Sequence, residues 1–397
     1  MSKNNDLLFG NGITEEAELT AENLSVLIPD GESEFALFVA RCLAQVPNLQ
    51  LHVQSSEPWV PLRFSRHRRT YSFQQWGDDS YQRLDAISRA ITRTGADVIL
   101  PVDEPATQFV SAHRQAIAEL AAVPPIPDPD IFETVTNKWL LADFLKENHI
   151  PGPPSILYTA DENFEQGLRE LQFPVLVKPT RGRGGEGIQF FDGPARLLDF
   201  LRDVSKGSSL HYIVQSFVHG YDVDCSVLCK DGKILAYTIQ KGFILDAETF
   251  TAPAGIDFMQ DEQVFDVVSR LVSAAKWSGV AHMDLRYDNL DGRVKLLETN
   301  ARYWGSLIGS LVMGVNFPYL ACLAALNVSF PIPDYRLGRY IAPGSAIKQR
   351  LRTFLGRSEV DFTFEETGLR YALADPLAEA SKLFRQAVAQ NRLKPMH

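Results

Sequence analysis

The chain has 397 residues, 45% of them hydrophobic, and a formal net charge of −10 at pH 7. This length predicts two or three domains, and the acidic balance argues against general nucleic-acid binding, which favours a basic surface. The four scattered cysteines indicate reduced thiols, and we find neither a signal-peptide core nor a bilayer-spanning apolar stretch, so we expect a cytoplasmic protein with no membrane contact.

The N-terminal third alternates predicted strands with helices. Residues 1–22 are polar and acidic and are predicted to be a mobile leader. The elements after it are a buried strand at 24–28, a helix at 35–43, a strand around 52–53 and a strand at 96–101. This alternation predicts a parallel α/β domain over residues 23–128, which ends in the proline-dense run 123–130.

Two further ranges complete a predicted catalytic body, 129–212 as a small lid and 213–330 as a sheet-based domain. Their elements are a helix at 135–149, strands at 175–179 and 212–215, a hairpin of 222–228 with 233–239, a helix at 261–277 and a hairpin over 280–302. Residues 331–397 are predicted to be a mostly helical extension with a basic helix near 347–355. Its amphipathicity indicates packing on the body of the protein in preference to membrane contact.

A lysine and a glycine-rich segment follow one apolar strand. Lys178 ends the strand, an unusual place for a lysine, although such a side chain often reaches solvent. The next residues include Gly182, Gly184, Gly185 and Gly187 with Arg181 and Arg183. Glycines let backbone amides approach an anion, and arginines add positive charge. A flexible hairpin is the alternative, but because neither common nucleotide fingerprint fits, a strand–flap–strand over phosphates is the better hypothesis.

Two other segments carry candidate nucleotide-binding residues. Lys138 lies near the start of a predicted helix, where a solvated surface lysine is the simpler interpretation. In the segment 215–222, Gln215, Phe217 and Val218 offer backbone groups and an apolar surface for a flat base. Asp222 is suited to accept hydrogen bonds from two ribose hydroxyls, although an ordinary strand–turn–strand explains the same residues.

A third candidate is the strand that ends in LETNAR. Glu298, Asn300 and Arg302 alternate along it and are predicted to share one face. Asp284 belongs to the preceding strand, and Asp291-Gly292 between them predicts a hairpin turn. Carboxylate and amide oxygens suit hard divalent cations, and a guanidinium suits phosphates. An exposed hairpin with ordinary polar residues is the alternative.

Taken in chain order, these features resemble the ATP-grasp superfamily over about residues 130–325. The flap and hinge are similar to those of D-alanine–D-alanine ligase. The 298–302 segment is more similar to carbamoyl-phosphate synthetase and the carboxylate–amine ligases. The resemblance implies an α/β and α+β protein of ATP-grasp fold, with an N-terminal parallel α/β domain, a small lid and a C-terminal mixed-sheet catalytic domain.

The resemblance also implies residue roles. Lys138 and Lys178 would hold the α- and β-phosphates of ATP. The flap from Arg183 to Gly187 would cover the β- and γ-phosphates. Gln215, Phe217 and Val218 would contact the adenine, and Asp222 would bind the ribose. Mg²⁺ would be bound by Asp284, Glu298 and Asn300. Arg302 would contact the transferring phosphoryl group. Two Mg²⁺ ions are expected, with Mn²⁺ an alternative. Gln215 and Asp222 depart from the family, in which glutamate is commoner at both positions.

The implied reaction is ATP-dependent, ADP-forming ligation of a carboxylate and an amine, with amino acid or small peptide substrates. Two alternatives remain open, an ATP-grasp enzyme that activates bicarbonate or phosphorylates its substrate, and a non-catalytic nucleotide-binding protein. Arg286 shares the face of Asp284 and is a candidate for binding a carboxylate, with an ordinary surface arginine as the alternative. Lys241 is a further candidate for substrate contact, and so is the basic cluster 63–69, for which a solvated loop is the simpler interpretation. The sequence leaves the substrates, the pathway and a possible homodimer open, and it predicts no nucleic-acid or membrane partner.

Overall fold

A computed structural model describes residues 23–77, 79–159, 162–182, 184–205, 211–244, 253–356 and 360–393. The strands are β1 Ser25–Ile28, β2 Gln50–Ser55, β3 Arg68–Phe73, β4 Val98–Ile99, β5 Ser155–Leu157, β6 Val175–Pro179, β7 Gln189–Phe191, β8 Tyr212–Ser216, β9 Gly220–Lys230, β10 Lys233–Ile244, β11 Gly255–Met259, β12 Gly279–Asp288, β13 Val294–Asn300 and β14 Gly338–Ile341. The predicted leader 1–22 and the flap residue Arg183 lie outside the described residues.

The helices fall mainly between these strands. They are α1 Ala36–Leu43, α2 Ser80–Thr94, α3 Glu104–Ala112, α4 Arg114–Ala118, α5 Pro129–Thr136, α6 Lys138–Glu147, α7 Glu162–Leu168, α8 Pro194–Ser205, α9 Glu262–Ala274, α10 Leu307–Val312, α11 Phe317–Ala325, α12 Pro343–Phe354, α13 Leu369–Ala374 and α14 Pro376–Leu393. A short 3-10 helix spans Pro61–Phe64.

The first sheet is parallel, with strand order β3-β2-β1-β4. Helices cover both of its faces: Val26 and Ile28 of β1 join the core that includes α1, whereas Leu27 packs into the core that includes α2. Burial on both faces explains why Val26, Leu27 and Ile28 of β1 form an unbroken apolar run. The predicted parallel α/β layer is confirmed, and helix α1 packs further onto α10 and α11. That contact joins the first sheet to the third.

The second sheet has the antiparallel order β5-β8-β6-β7, and the glycine-rich segment connects β6 to β7. The predicted strand–flap–strand is therefore confirmed. Strand β6 begins and ends where the sequence predicts, because its apolar run is bounded by Pro174 and Pro179. The domain boundary predicted between residues 212 and 213 falls inside β8.

The third sheet has six strands in the order β13-β12-β9-β10-β11-β14, all paired antiparallel, with one parallel bridge from Ile341 to Thr367 at its edge. Both predicted hairpins, β9–β10 and β12–β13, are confirmed. Helix α9 covers one face through a buried stripe that includes Val264, Val268 and Leu271. The opposite face of the sheet carries the polar residues described below.

One predicted helix is two helices. The sequence predicts a single helix over 135–149, but the chain breaks at Asn137, whose backbone is extended at φ −82° and ψ 120°. The Asn137 side chain accepts hydrogen bonds from the amides of Trp139 and Leu140 and so caps α6. The prediction was wrong because it gave no weight to this cap. The break places Lys138 at the first position of the new helix.

The C-terminal helices are only partly packed on the body. Helix α14 holds the N-terminal layer through Glu379, which pairs with buried Arg41 at 2.7 Å. Helix α12 buries only Ala346 and Gln349 and turns its large apolar side chains outward. The expectation that its apolar face packs on the body was therefore wrong. Among the helices of the described segments, none is long and apolar enough to cross a membrane.

Asp375 fixes the C-terminal extension to the first sheet's outer loop. Its buried carboxylate accepts hydrogen bonds from Ser65 Oγ at 2.6 Å and from the Arg66 amide at 2.9 Å. We expect Asp375→Ala to lower the free energy of unfolding by about 1–3 kcal/mol, because two donors lose a buried acceptor. Thermal and urea unfolding measure this change. The exposed Asp334→Ala is the matched control, and an equal effect of both substitutions would contradict the anchor.

Candidate active site

Three neighbouring strands carry a row of acidic and polar side chains on one sheet face. Strand alternation sends Val223 and Cys225 of β9 into the core and turns Asp222 and Asp224 toward the open face. Asp284 of β12 lies between its register partners, Asp224 on β9 and Glu298 on β13. The predicted proximity of Asp284 to Glu298 therefore follows from the pairing of β12 with β13.

The acidic row is electrostatically strained. Burial raises the pKa of Asp284 well above its ordinary value, and the neighbouring Asp224 and Glu298 raise it further. Burial and then the charge of Asp222 raise the pKa of Asp224 to about 7. Because the carboxylates repel one another in a partly dry site, a bound cation would relieve this repulsion.

The donor set suits a hard divalent cation. Asp284 and Glu298 offer carboxylate oxygens, and Asn300, whose Nδ2 donates to Asp284 at 3.4 Å, adds an amide oxygen. Ligand atoms of Asp224, His282 and Asp284 also lie within 4.8 Å of one another. Burial and then the nearby Arg302 lower the pKa of His282 to about 3, which keeps its imidazole neutral. The residues present therefore fit Mg²⁺ or Mn²⁺.

Lys138 connects this acidic row to the glycine flap. Its buried Nζ lies 3.1 Å from Glu298 Oε1 and donates to the Gly182 carbonyl at 3.1 Å. The solvated surface position, which was the simpler interpretation of the sequence, is contradicted. Capping by Asn137 and the Lys138 amide bond to the Thr180 carbonyl fix the start of α6 against the flap.

Lys178 is buried at the end of β6 and donates from Nζ to Gln215 Oε1 at 2.8 Å. Gln215 in turn donates to Ser155 Oγ at 2.9 Å, so its amide is fixed in orientation. Burial lowers the pKa of Lys178 to about 8, partly offset by the charge of Glu298. A neutral glutamine in this position leaves the ammonium without a directly bonded carboxylate.

The flap uses glycine for backbone reasons. Gly182, Gly184, Gly185 and Gly187 all have positive φ, at 146°, 59°, 77° and 74°. Other residues rarely adopt these angles, so the loop's amides can turn toward a ligand only with glycine there. The described part of the flap therefore has the backbone that the sequence predicts.

The hinge between β8 and β9 is apolar and tightly built. Phe217 lies edge-on to Phe190 of β7, with ring centroids 5.5 Å apart, and Val218 is buried. At Gly220 a Cβ would lie 1.7 Å from the Tyr287 carbonyl oxygen, so only glycine fits where β9 begins against β12. The structure thus brings Gln215, Phe217 and Val218 together beside Lys178.

Asp222 and Arg286 form an ion pair at the hinge end of the site. Arg286 donates to Asp222 Oδ1 at 2.8 Å and to the Gly220 carbonyl at 2.9 Å, and its guanidinium lies 5.1 Å from the Phe217 ring centroid. The sequence assigned these two residues to different ligands, yet β9–β12 pairing makes them direct partners. Arg286 therefore lies with the hinge residues.

Arg302 lies at the opposite end, where the third sheet meets the first. Its guanidinium donates to Asn300 Oδ1 at 3.1 Å and to the Tyr303 carbonyl at 3.0 Å, and it stacks 4.5 Å from the Phe35 ring centroid. Glu104, just past β4, lies 3.9 Å from Arg302 Nε. The Tyr303 amide donates to the Val102 carbonyl, which holds this junction together.

The sequence analysis missed Asp224 and Gln240. Gln240 of β10 is the register partner of Asp224, hydrogen-bonds to it and donates to Ser306 Oγ at 2.8 Å. The signal was present, since Asp224 alternates with Asp222 on the same strand. Its burial, however, depends on β10 and β12, which are distant in sequence.

Two candidates for substrate contact are engaged elsewhere. Lys241 Nζ lies 3.4 Å from the centroid of Tyr221, which by alternation occupies the opposite sheet face from Asp222. In the basic cluster 63–69, Arg63 stacks on Trp59 and Arg68 donates to the Leu62 carbonyl. These contacts account for the side chains without a substrate.

The three-sheet architecture, with two buried lysines facing an acidic strand row beneath a glycine flap, defines a nucleotide-binding fold. Residues 135–306 match the family model of the ATP-grasp domain. The chain contains an ATP-grasp domain.

The curated proteins that the chain resembles include two ligases. The chain is 24% identical over 228 residues to D-aspartate ligase of Enterococcus faecium, covering 53% of this chain and 54% of the ligase. It is 25% identical over 161 residues to D-alanine–D-alanine ligase B of Pseudomonas putida, covering 38% and 49%. The chain thus spans about half the length of these curated relatives.

The fold is also that of a solved structure, N5-carboxyaminoimidazole synthetase from Staphylococcus aureus in complex with ADP. The TM-score is 0.64 with 12% identity, over 88% of this chain and 87% of that one. At this identity the likeness shows the fold alone.

Proposed function

We propose that the protein is an ATP-dependent, ADP-forming ligase that activates a carboxylate as an acyl phosphate for attack by an amine. The observation that carries the proposal is the convergence of four side chains at the end of β13, where Lys138 bonds to Glu298 and to the flap carbonyl of Gly182, and Arg302 bonds to Asn300. Positively charged side chains, ligands for a metal ion and flap amides that lie close together suit a reaction that moves a phosphoryl group between oxygens.

In this proposal the hinge end binds the nucleoside. Gln215, Phe217 and Val218 contact adenine, and Lys178 binds the α- and β-phosphates. Asp222 binds the ribose and would exchange its ion pair with Arg286 for hydroxyl groups, which its exposed position allows. Arg286 holds Asp222 in place until the nucleoside binds and stacks on Phe217, a different role from carboxylate binding.

The chemistry occurs at the other end. A carboxylate oxygen attacks the γ-phosphorus, the bond to ADP breaks, and the resulting acyl phosphate loses inorganic phosphate when an amine nitrogen attacks its carbonyl carbon. Asp284, Glu298 and Asn300 would hold Mg²⁺, expected as two ions, which supplies charge neutralisation when bound. Arg302 stabilises the negative oxygens, and its contact with Phe35 keeps water from one side of the guanidinium.

The relatives guide the choice of substrates. Both curated relatives are ligases named for D-amino acids, so free amino acids are the first carboxylates and amines to test. Bicarbonate activation, an alternative that the sequence leaves open, is the second candidate.

An ADP-release assay across pairs of D- and L-amino acids, with bicarbonate as a separate arm, tests the proposal. We expect ADP release that requires two substrates, with a product whose mass equals their sum less water. ADP release with a single substrate would favour phosphotransfer or bicarbonate activation. Nucleotide binding without turnover in any arm would favour a non-catalytic protein.

Lys178 makes nucleotide binding dependent on pH. Because its folded-state pKa is about 8 and anion binding needs the ammonium, ADP binding should take up a proton near pH 8 and weaken above it, by at most about tenfold per pH unit. Titration calorimetry in two buffers of different ionisation enthalpy measures this uptake.

Gln215→Glu is the diagnostic variant for that effect. A carboxylate 2.8 Å from the ammonium would raise the pKa of Lys178, so proton uptake at pH 8.5 should fall and binding should persist to higher pH. In the wild type, the folded state binds fewer protons than the unfolded chain at pH values between the folded-state and the unfolded-state pKa of Lys178. The free energy of unfolding of the wild type should therefore rise with pH over that range. An unchanged profile in the variant would show that another group titrates.

A further inference from the structure

Helix α12 presents an apolar stripe to solvent. Ile347, Leu351, Phe354 and Leu355 are 62%, 59%, 86% and 53% exposed. At about 3.6 residues per turn these four positions fall on one side of the helix. The buried positions Ala346 and Gln349 fall on the other side, against the body. An apolar stripe of four large side chains on a convex helix therefore lacks a partner among the described residues.

Basic side chains lie on both flanks of this stripe. Lys348 and Arg352 follow Ile347 and Leu351 on one flank, and Arg350 lies on the other. Helix α12 contains no acidic residue. Arg350 is held by the Phe362 carbonyl and lies 3.4 Å from Asp361 Oδ1, whereas Lys348 and Arg352 form no ion pair with the described residues. The exposed face of the helix thus combines large apolar groups with available positive charge.

We infer that α12 is a docking surface for an anionic lipid bilayer. Its four apolar side chains would enter the acyl boundary, while the flanking lysine and arginines would extend to lipid phosphates. This inference replaces the expectation from the sequence that the protein has no membrane partner, and it is independent of the proposed reaction. The net charge of −10 confines the contact to this helix, because an anionic surface repels the rest of the body.

The same charges argue against a second copy as the occupant. In a two-fold pairing of α12 with itself, the stripes would meet. Lys348 and Arg352 of both helices, which have no acidic partner among the described residues, would then be brought together. A bilayer that carries negative headgroups matches both the apolar stripe and its flanks.

Co-sedimentation of the full chain with vesicles tests the inference. We expect at least about tenfold stronger binding to phosphatidylcholine vesicles that contain phosphatidylglycerol than to pure phosphatidylcholine. The variant Ile347→Gln, Leu351→Gln, Phe354→Gln should lose this binding. Lys348→Gln with Arg352→Gln should weaken it by about fivefold per charge. All five changed side chains are exposed, so thermal stability should not change.

Matched controls separate the stripe from general surface effects. Leu290→Gln removes an equally exposed leucine from the β12–β13 turn, and Lys233→Gln with Arg293→Gln removes two exposed charges elsewhere. Both controls should bind vesicles as the wild type does. Equal binding to neutral and anionic vesicles, or no loss in the α12 variants, would overturn the inference. A wild-type dimer that the stripe variant dissociates, without vesicle binding, would assign the stripe to a second copy instead.

Discussion

Glu298→Gln should lower kcat about 10²–10³-fold while the protein remains folded. The glutamine keeps an acceptor for Lys138, which lies 3.1 Å from Glu298 Oε1, so the packing of α6 against β13 should persist. It removes the carboxylate that faces Asp284 across the β12–β13 pair. Steady-state ADP release measures the loss, and circular dichroism confirms that the fold is retained.

Nucleotide affinity distinguishes a lost cation ligand from a damaged site. In the absence of divalent cations Glu298→Gln should bind ADP nearly as well as the wild type. When divalent cations are added, the wild type should gain affinity for ADP, and Glu298→Gln should show little of this gain. Glu262→Gln, which changes an exposed glutamate at the start of α9, is the control and should match the wild type throughout. Full turnover by Glu298→Gln would rule out the assignment.

Arg302→Lys should reduce kcat by at least about 10²-fold, although the positive charge is kept. The guanidinium donates to Asn300 and to the Tyr303 carbonyl and lies 4.5 Å from the Phe35 ring centroid, and an ammonium cannot make this set of contacts. The prediction is measured as kcat and as the ADP dissociation constant, which should change less than about threefold because Arg302 lies far from the hinge.

The pattern of the kinetic loss identifies the role of Arg302. If it acts on the transferring phosphoryl group, kcat falls with little change in KM for the carboxylate. A raised KM with unchanged kcat would instead make it a substrate-binding residue. Arg293→Lys on the same hairpin is exposed and should leave both constants unchanged.

Local sequence signals predicted much of the fold. Strand β6, the glycine flap and the two hairpins follow from apolar runs bounded by proline, glycine and Asp-Gly turns. The metal-type residues were predictable for the same reason: alternation within a strand places Glu298 and Asn300 on one face without knowledge of any neighbour.

The contacts that could not be predicted from the sequence depend on the pairing of strands that are far apart in the chain. The ion pair of Asp222 with Arg286 requires β9 to lie beside β12, about 60 residues further on, and the burial of Asp224 needs β10 as well. The outward stripe of α12 was missed for a related reason, since an amphipathic pattern does not reveal which face meets the body. The break at Asn137 was local, but its cap lay within a continuous helical pattern.

Transfer of a labelled carboxylate oxygen tests the proposed acyl phosphate most directly. The carboxylate substrate identified in the ADP-release assay is labelled with ¹⁸O and incubated with ATP and the amine, and the inorganic phosphate is analysed by mass spectrometry. If the carboxylate attacks the γ-phosphorus, each phosphate released carries one oxygen from the substrate. Unlabelled phosphate, formed together with the amide product, would contradict the account.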